Sequence, residues 1–189
     1  MKFICSTLPG VVIIEPDVYE DERGWFMESF NLRKFEEGLR HLGLPVPEPF
    51  VQDNQSSSRK GVLRGLHYQL EPFAQGKLVS VNHGAAFDVA VDIRHGSPTY
   101  GKYFGIELSA VNKRMLWIPA GFAHGFLALE DNTSFFYKTT NFYNKESERS
   151  LLWCDPKLNI KWPLLSEYVV NVKDQEAPCL ALNGPQCHD

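Results

Sequence analysis

At 189 residues, 43% apolar and 22% charged, the chain has the length and balance of one globular domain with a full hydrophobic core. A net charge of −4 excludes the basic stripe of a general nucleic-acid binder, though not a small anionic ligand held by a few clustered Arg and Lys side chains. No apolar run approaches signal-peptide or membrane-span length, and the four scattered cysteines (Cys5, Cys154, Cys179, Cys187) read as reduced thiols, so a cytoplasmic protein with no nucleic-acid or membrane partner is expected.

Along the chain, Val11 to Ile14 and Trp25 to Phe30 carry an extended pattern. Leu32, Phe35, Leu39 and Leu42 then recur at spacings of three and four, with Asn31 placed as an N-cap and Gly43 as a stop, which predicts one short amphipathic helix. Pro45, Pro47 and Pro49 mark a loop. Val62 to Leu70 and Lys77 to Val81 read as strands. Phe87 to Arg94 alternates large apolar residues with small or charged ones, the mark of a strand with one face in a core. Gly96-Ser97-Pro98-Thr99 turns the chain into a strand from Tyr103 to Leu108. Leu116 to Pro119, Phe126 to Leu129 and Ser134 to Tyr137 follow, with Glu130-Asp131-Asn132 as the turn between the last two. Many short strands divided by Gly, Pro and Asn turns imply an all-β sandwich or barrel, of which the jelly roll is one form. Residues 1–182 are expected to make a single domain and 183–189 a frayed tail.

The densest chemistry lies in Gly61-Val62-Leu63-Arg64-Gly65-Leu66-His67-Tyr68-Gln69. An inward-facing strand histidine needs little tuning to act as a general base. Taken alone it reads more readily as a core histidine bonded to main chain. Period-two counting puts Leu63 and His67 on one face, and a hairpin would bring Lys77, from Gln75-Gly76-Lys77, beside His67. Pro119 to Phe126 contains a cupin-like P-x-G-x-x-H ending on His124. A metal cupin also needs His-x-His and a Glu in its first motif, whereas here His67-Tyr68-Gln69 is followed by a lysine, so no metal is expected.

Together these segments resemble the dTDP-4-dehydrorhamnose 3,5-epimerase family. The likeness runs in order through Asp21 to Phe30, Val51 to Asn54, Gly61 to Gln69, Asp88 to Asp92, Gly121 to Phe126, Tyr137-Lys138, Trp153 to Pro156, Trp162-Pro163 and Lys173-Asp174. The resemblance implies a cupin-like jelly roll and a cofactor-free epimerase acting on a dTDP-4-keto-6-deoxysugar. A ketone at carbon 4 acidifies the hydrogens on carbons 3 and 5, so inversion needs a base, an acid on the other face and a cation near the enolate oxygen. By resemblance His67 is the base, Asp174 its orienting partner, Lys77 the cation and Tyr137 the acid. Arg23 and Arg64 correspond to phosphate and substrate contacts, and Glu28, Gln52 and Asn54 to groups that hold the nucleotide, with Phe26 or Trp25 for stacking. His124, Glu148 and Lys173 match further substrate contacts, Glu146 being an adjacent alternative to Glu148. The family is homodimeric with N-terminal strands crossing over, which implies Arg23 and Glu28 in the partner's site.

Each residue also has a plain reading: Lys77 as a solvated strand-end lysine, Tyr137 as core, Asp174 as part of a charged turn, Glu28 and Glu148 as surface acids. Other functions weighed are a metal-dependent cupin enzyme, a non-catalytic sugar-binding jelly roll, and a relative that inverts a single carbon.

Overall fold

The computed structural model describes residues 1–181, so the expected tail, 183–189, lies outside the described residues. In chain order the elements are β1 (Lys2–Cys5), β2 (Val12–Glu15), β3 (Val18–Asp21), β4 (Gly24–Met27), α1 (Leu32–His41), β5 (Gln52–Ser58), β6 (Val62–Gln69), β7 (Lys77–His83), β8 (Ala85–Asp92), β9 (Tyr103–Ser109), β10 (Met115–Ile118), β11 (Phe122–Ala128), β12 (Thr133–Thr139), β13 (Glu148–Ser150), β14 (Val169–Val170) and α2 (Val172–Gln175). One sheet has the order β1-β2-β10-β7-β12-β5, the other β13-β6-β11-β8-β9 with β14 also paired to β6. The two sheets pack as a jelly-roll sandwich. A separate ribbon pairs β3 with β4.

Period-two alternation sorts the apolar residues into layers. Val79, Val81, Ala86, Ala90, Leu116, Ile118, Phe122, Phe126 and Phe135 fill the space between the sheets. On the outer face of the first sheet, Val12, Ile14, Leu78, Met115 and Trp117 pack under Phe35 and Leu39 of α1. That helix is placed as its sequence predicts: the Asn31 side chain accepts from Lys34 N, and Gly43 takes φ +71° just past the last turn. On the outer face of the second sheet, Leu63, Leu66, Val89, Val91, Ala123 and Leu127 are covered by Leu151, Leu158, Trp162 and Leu180.

Several expectations change. The extended run from Trp25 stops at Met27, because residues 28–31 leave the strand to start α1. The strand expected from Phe126 begins at Phe122, which puts His124 in mid-strand. The polar strand β5 went unforeseen because Gln52 to Ser58 carries no apolar stripe; it pairs along β12 as an edge. In β8 both faces are buried: the large residues face the outer cluster, and the charged ones, Asp88 and Asp92, face the interior with no exposed area.

Two corrections concern the site directly. Lys77 does not reach His67 across a hairpin, since β6 and β7 belong to different sheets. Nor do Leu63 and His67 share a face. Leu63 and Leu66 both enter the outer cluster, whereas Arg64 and His67 both line an interior cavity. Alternation breaks between them, where the β6–β11 register shifts between His124 and Phe126. Gly65 has φ +121°, and a Cβ there would meet Gly125 Cα at 2.6 Å and His124 O at 2.8 Å; a Cβ on Gly125 would meet Arg64 O at 2.7 Å.

Gly65→Ala is therefore expected to lose about 3 kcal/mol or more, combining a disfavoured φ with main-chain overlap. Gly24, with φ +122° and nothing within 4 Å of an added Cβ, isolates the first part. Urea unfolding should show Gly24→Ala losing no more than about 1–2 kcal/mol. Equal losses at the two positions would show that the close approach of β6 and β11 is unimportant.

Candidate active site

His67 projects from β6 into a cavity of about 320 Å³ between the sheets, lined also by Arg64, Lys77, His124, Tyr137, Asn54 and Asn171. Its Nε2 lies 2.7 Å from Asp174 Oδ1. The place of Asp174 follows from main-chain hydrogen bonding. Along one edge of β6, residues 67–69 pair with β13 and residues 62 and 63 with β14, which leaves the Gly65 N–H between them unserved by either strand. Asp174 Oδ2 accepts it at 3.1 Å. The Asn171 side chain caps α2 by accepting from Asp174 N at 2.7 Å, which holds the carboxylate in this gap. Asp174 is wholly buried rather than part of an exposed charged turn. Burial works against its charge, but His67, the Gly65 N–H and Lys173 outweigh it, and the carboxyl sits below the ordinary carboxylate value.

Lys77 enters the same cavity from the opposite sheet, and its Nζ reaches the His67 carbonyl at 3.4 Å. It is buried, 8% exposed, not a solvated strand-end lysine. Burial pulls the ammonium down to about 8, against the opposing charges of Asp88 and Glu148. Tyr137, on β12, is half-buried, and burial raises its phenol above the ordinary value, so it stays protonated near neutrality. His124 stands opposite His67 in the β6–β11 register. Its Nε2 is 2.8 Å from Asp88 Oδ2, and burial depresses its pKa more than Asp88 restores it. It is thus a neutral ring donating Nε2–H to Asp88. Sequence reasoning gave Asp88 no role, because an acid in an alternating strand reads as part of a solvent face.

Gln69, where a metal cupin places its second histidine, donates its amide to the Phe73 and Phe142 carbonyls and accepts from Asn144 N. Among the described residues no three His, Cys, Asp or Glu side chains converge as a metal site.

The family model described as dTDP-4-dehydrorhamnose 3,5-epimerase matches residues 6–181. The chain belongs to the dTDP-4-dehydrorhamnose 3,5-epimerase family. A Shigella flexneri protein of that name is 59% identical over 90% of this chain and 94% of its own. A Pseudomonas aeruginosa protein of the same name is 51% identical over 96% and 97%. The crystal structure of the 3,5-epimerase of Legionella pneumophila in complex with dTDP-4-keto-L-rhamnose superposes with a TM-score of 0.88 at 51% identity, covering 94% of this chain and 92% of that one. A 3'-monoepimerase from Streptomyces bikiniensis, in complex with dTDP-quinovose, shares the architecture at a TM-score of 0.84 but only 31% identity, over 95% of this chain and 87% of that one.

The residues expected from the epimerase family to bind substrate divide into three groups. Arg64, Asn54 and His124 line the cavity; Arg64 is held by Ser58 Oγ at 3.2 Å. Gln52, Glu148 and Lys173 form a linked rim: Gln52 donates to Asn54 and accepts from Tyr143 N, Tyr143 donates to Glu148, and Lys173 pairs with Glu148. Glu146 gives only its main-chain carbonyl, to Arg149, so Glu148 is the acid of the rim. Arg23, Phe26 and Glu28 do not reach the cavity of their own chain. The Arg23 side chain is 85% exposed beside Asp21, Phe26 is 69% exposed on the ribbon, and Glu28 binds Lys34 and Asn31 at the start of α1.

Proposed function

We propose that the protein is a dTDP-4-dehydrorhamnose 3,5-epimerase, an isomerase that converts dTDP-4-dehydro-6-deoxy-D-glucose to dTDP-4-dehydro-L-rhamnose on the route to dTDP-L-rhamnose. The observation that carries this reading is one cavity in which a carboxylate-held histidine, a buried lysine and a half-buried tyrosine converge from both sheets.

Asp174 accepts the Nε2–H of His67, so the bare Nδ1 is the base. It takes the proton from carbon 3 or 5. The electron pair flows into the carbon 4 carbonyl as an enolate, whose oxygen the Lys77 ammonium stabilises; preorganised charge of this kind is usually the largest catalytic contribution. Tyr137 then gives its phenolic proton to the same carbon from the opposite face. The resulting imidazolium and phenolate exchange protons with solvent before the next turnover. The residues of the site supply base, acid and cation themselves, and the scheme uses no cofactor. Arg64 meets the diphosphate with planar paired donors, and Asn54, Gln52, Glu148, Lys173 and the bare Nδ1 of His124 complete the hydrogen bonding to nucleotide and sugar.

Tyr137→Phe should keep the fold and still wash solvent deuterium into the substrate, because His67 can remove a proton and return a deuteron to the same face. Inverted product should fall by roughly 10²- to 10⁴-fold, the worth of one general acid. Proton NMR in deuterated water reads both quantities. Inversion at an unchanged rate would take Tyr137 out of the mechanism, and loss of exchange together with inversion would give it a role in abstraction or placement.

The assembly is a homodimer in which the β3–β4 ribbon crosses to the partner and delivers Arg23, Phe26 and Glu28 to its cavity. Supporting this, the ribbon pairs with neither sheet, and Tyr19, Trp25 and Phe26 are all more than half exposed on it. Arg23→Ala and His67→Asn should each be inactive as pure proteins. Co-expressed hybrids should regain activity, since one of their two sites then holds both native residues. Hybrids as inactive as their parents would place each site within a single chain. The exposed free thiols of Cys5, Cys154 and Cys179 suit the reducing cytoplasm.

A further inference from the structure

Asp88 lies at the middle of β8 with no exposed area. Its Oδ2 accepts from His124, and its Oδ1 is equally buried with no hydrogen-bond partner. A carboxylate so desolvated is strongly unfavourable unless a cation offsets it, and the neutral His124 ring brings no charge. The charged and titratable groups around the cavity are Arg64 and His67 from β6, Lys77 from β7, His124 from β11, Tyr137 from β12 and Glu148 from β13. Arg64 is spent on Ser58 Oγ and the Ser57 carbonyl at the mouth, and His67 on Asp174. Lys77 is buried with the His67 carbonyl as its hydrogen-bond partner and no carboxylate bonded to it. Asp88 and Lys77 enter the interior from opposing sheets, on strands whose inward faces meet across the sandwich.

We propose that Asp88 is a positioning residue of the site, the fixed counter-charge that keeps the Lys77 ammonium charged while its other oxygen sets the His124 tautomer. The catalytic consequence rests on Lys77 acting as the cation at the enolate oxygen. The electrostatic part stands without it.

The pH dependence follows from the signs. Lys77 acts as its ammonium, so turnover falls as pH rises through its value of about 8. Tyr137 titrates above the ordinary phenol value and does not set this limb. Asp88→Asn keeps the shape and a hydrogen bond to His124 but removes the charge. The alkaline limb of kcat/KM should then move toward acid by about one pH unit or more, with activity partly regained on acidification. A variant less active at every pH with its limb unmoved would overturn the catalytic part of the proposal.

Thermal unfolding gives a readout independent of catalysis and usable even if Asp88→Asn folds poorly. Lys77→Met should lower the Tm of the native chain, by stranding the Asp88 charge, and raise the Tm of the Asp88→Asn chain, by removing the stranded ammonium. Equal effects of Lys77→Met in the two backgrounds would show that the groups are uncoupled. A shifted cycle with an unmoved pH limb would keep the pairing and remove Lys77 from the chemistry.

Discussion

The site depends on two strands running closer together than side chains allow. Gly65 of β6 and Gly125 of β11 meet where a Cβ on either would overlap main chain of the other. That approach coincides with the shift in pairing between the strands, and the shift lets Arg64 and His67 face one cavity although they stand an odd three positions apart. On its other edge β6 leaves the Gly65 N–H in the gap between β13 and β14. Asp174 satisfies that donor and, with its other oxygen, the His67 ring. The Gly65 segment thereby brings together the Arg64 guanidinium, the His67 ring and the carboxylate that orients it. Irregularities of this kind recur beside active sites because they re-aim side chains.

The second theme is desolvation. Lys77, His124, Asp88 and Asp174 are all buried beside the apolar layer between the sheets. Burial disfavours the charged form of an ionisable group. Asp174 keeps its charge through hydrogen bonds, His124 gives its up, and Lys77 is held near the edge of ionisation. An ammonium so placed gives strong stabilisation to an oxyanion forming beside it, because little water screens the interaction. The same balance makes the cavity sensitive to the loss of any single charge.

Much of this was legible in the sequence, and the remainder was hidden for physical reasons. Apolar alternation located most strands of the sandwich, and the spacing of Leu32, Phe35, Leu39 and Leu42 with Asn31 gave α1. The order of the motifs gave the family. Strand β5 was invisible because its inward positions, Asn54 and Ser56, line a polar cavity instead of filling a core. Asp88 was passed over because periodicity cannot tell a solvent face from a polar interior. Counting by twos misplaced His67 relative to Leu63 because the rule assumes an unbroken ladder, and Gly65 marks where the ladder breaks. Lys77 was correctly paired with His67 for the wrong geometric reason: the sheets bring them together across the sandwich.

The central claim is that His67, held by Asp174, removes the substrate protons at both carbons. Proton NMR of dTDP-4-dehydro-6-deoxy-D-glucose in deuterated water with His67→Asn tests it most directly. The account predicts a folded protein that still binds the nucleotide and washes no deuterium into carbon 3 or carbon 5. Exchange at a near-native rate at either carbon would contradict it and assign abstraction there to another group.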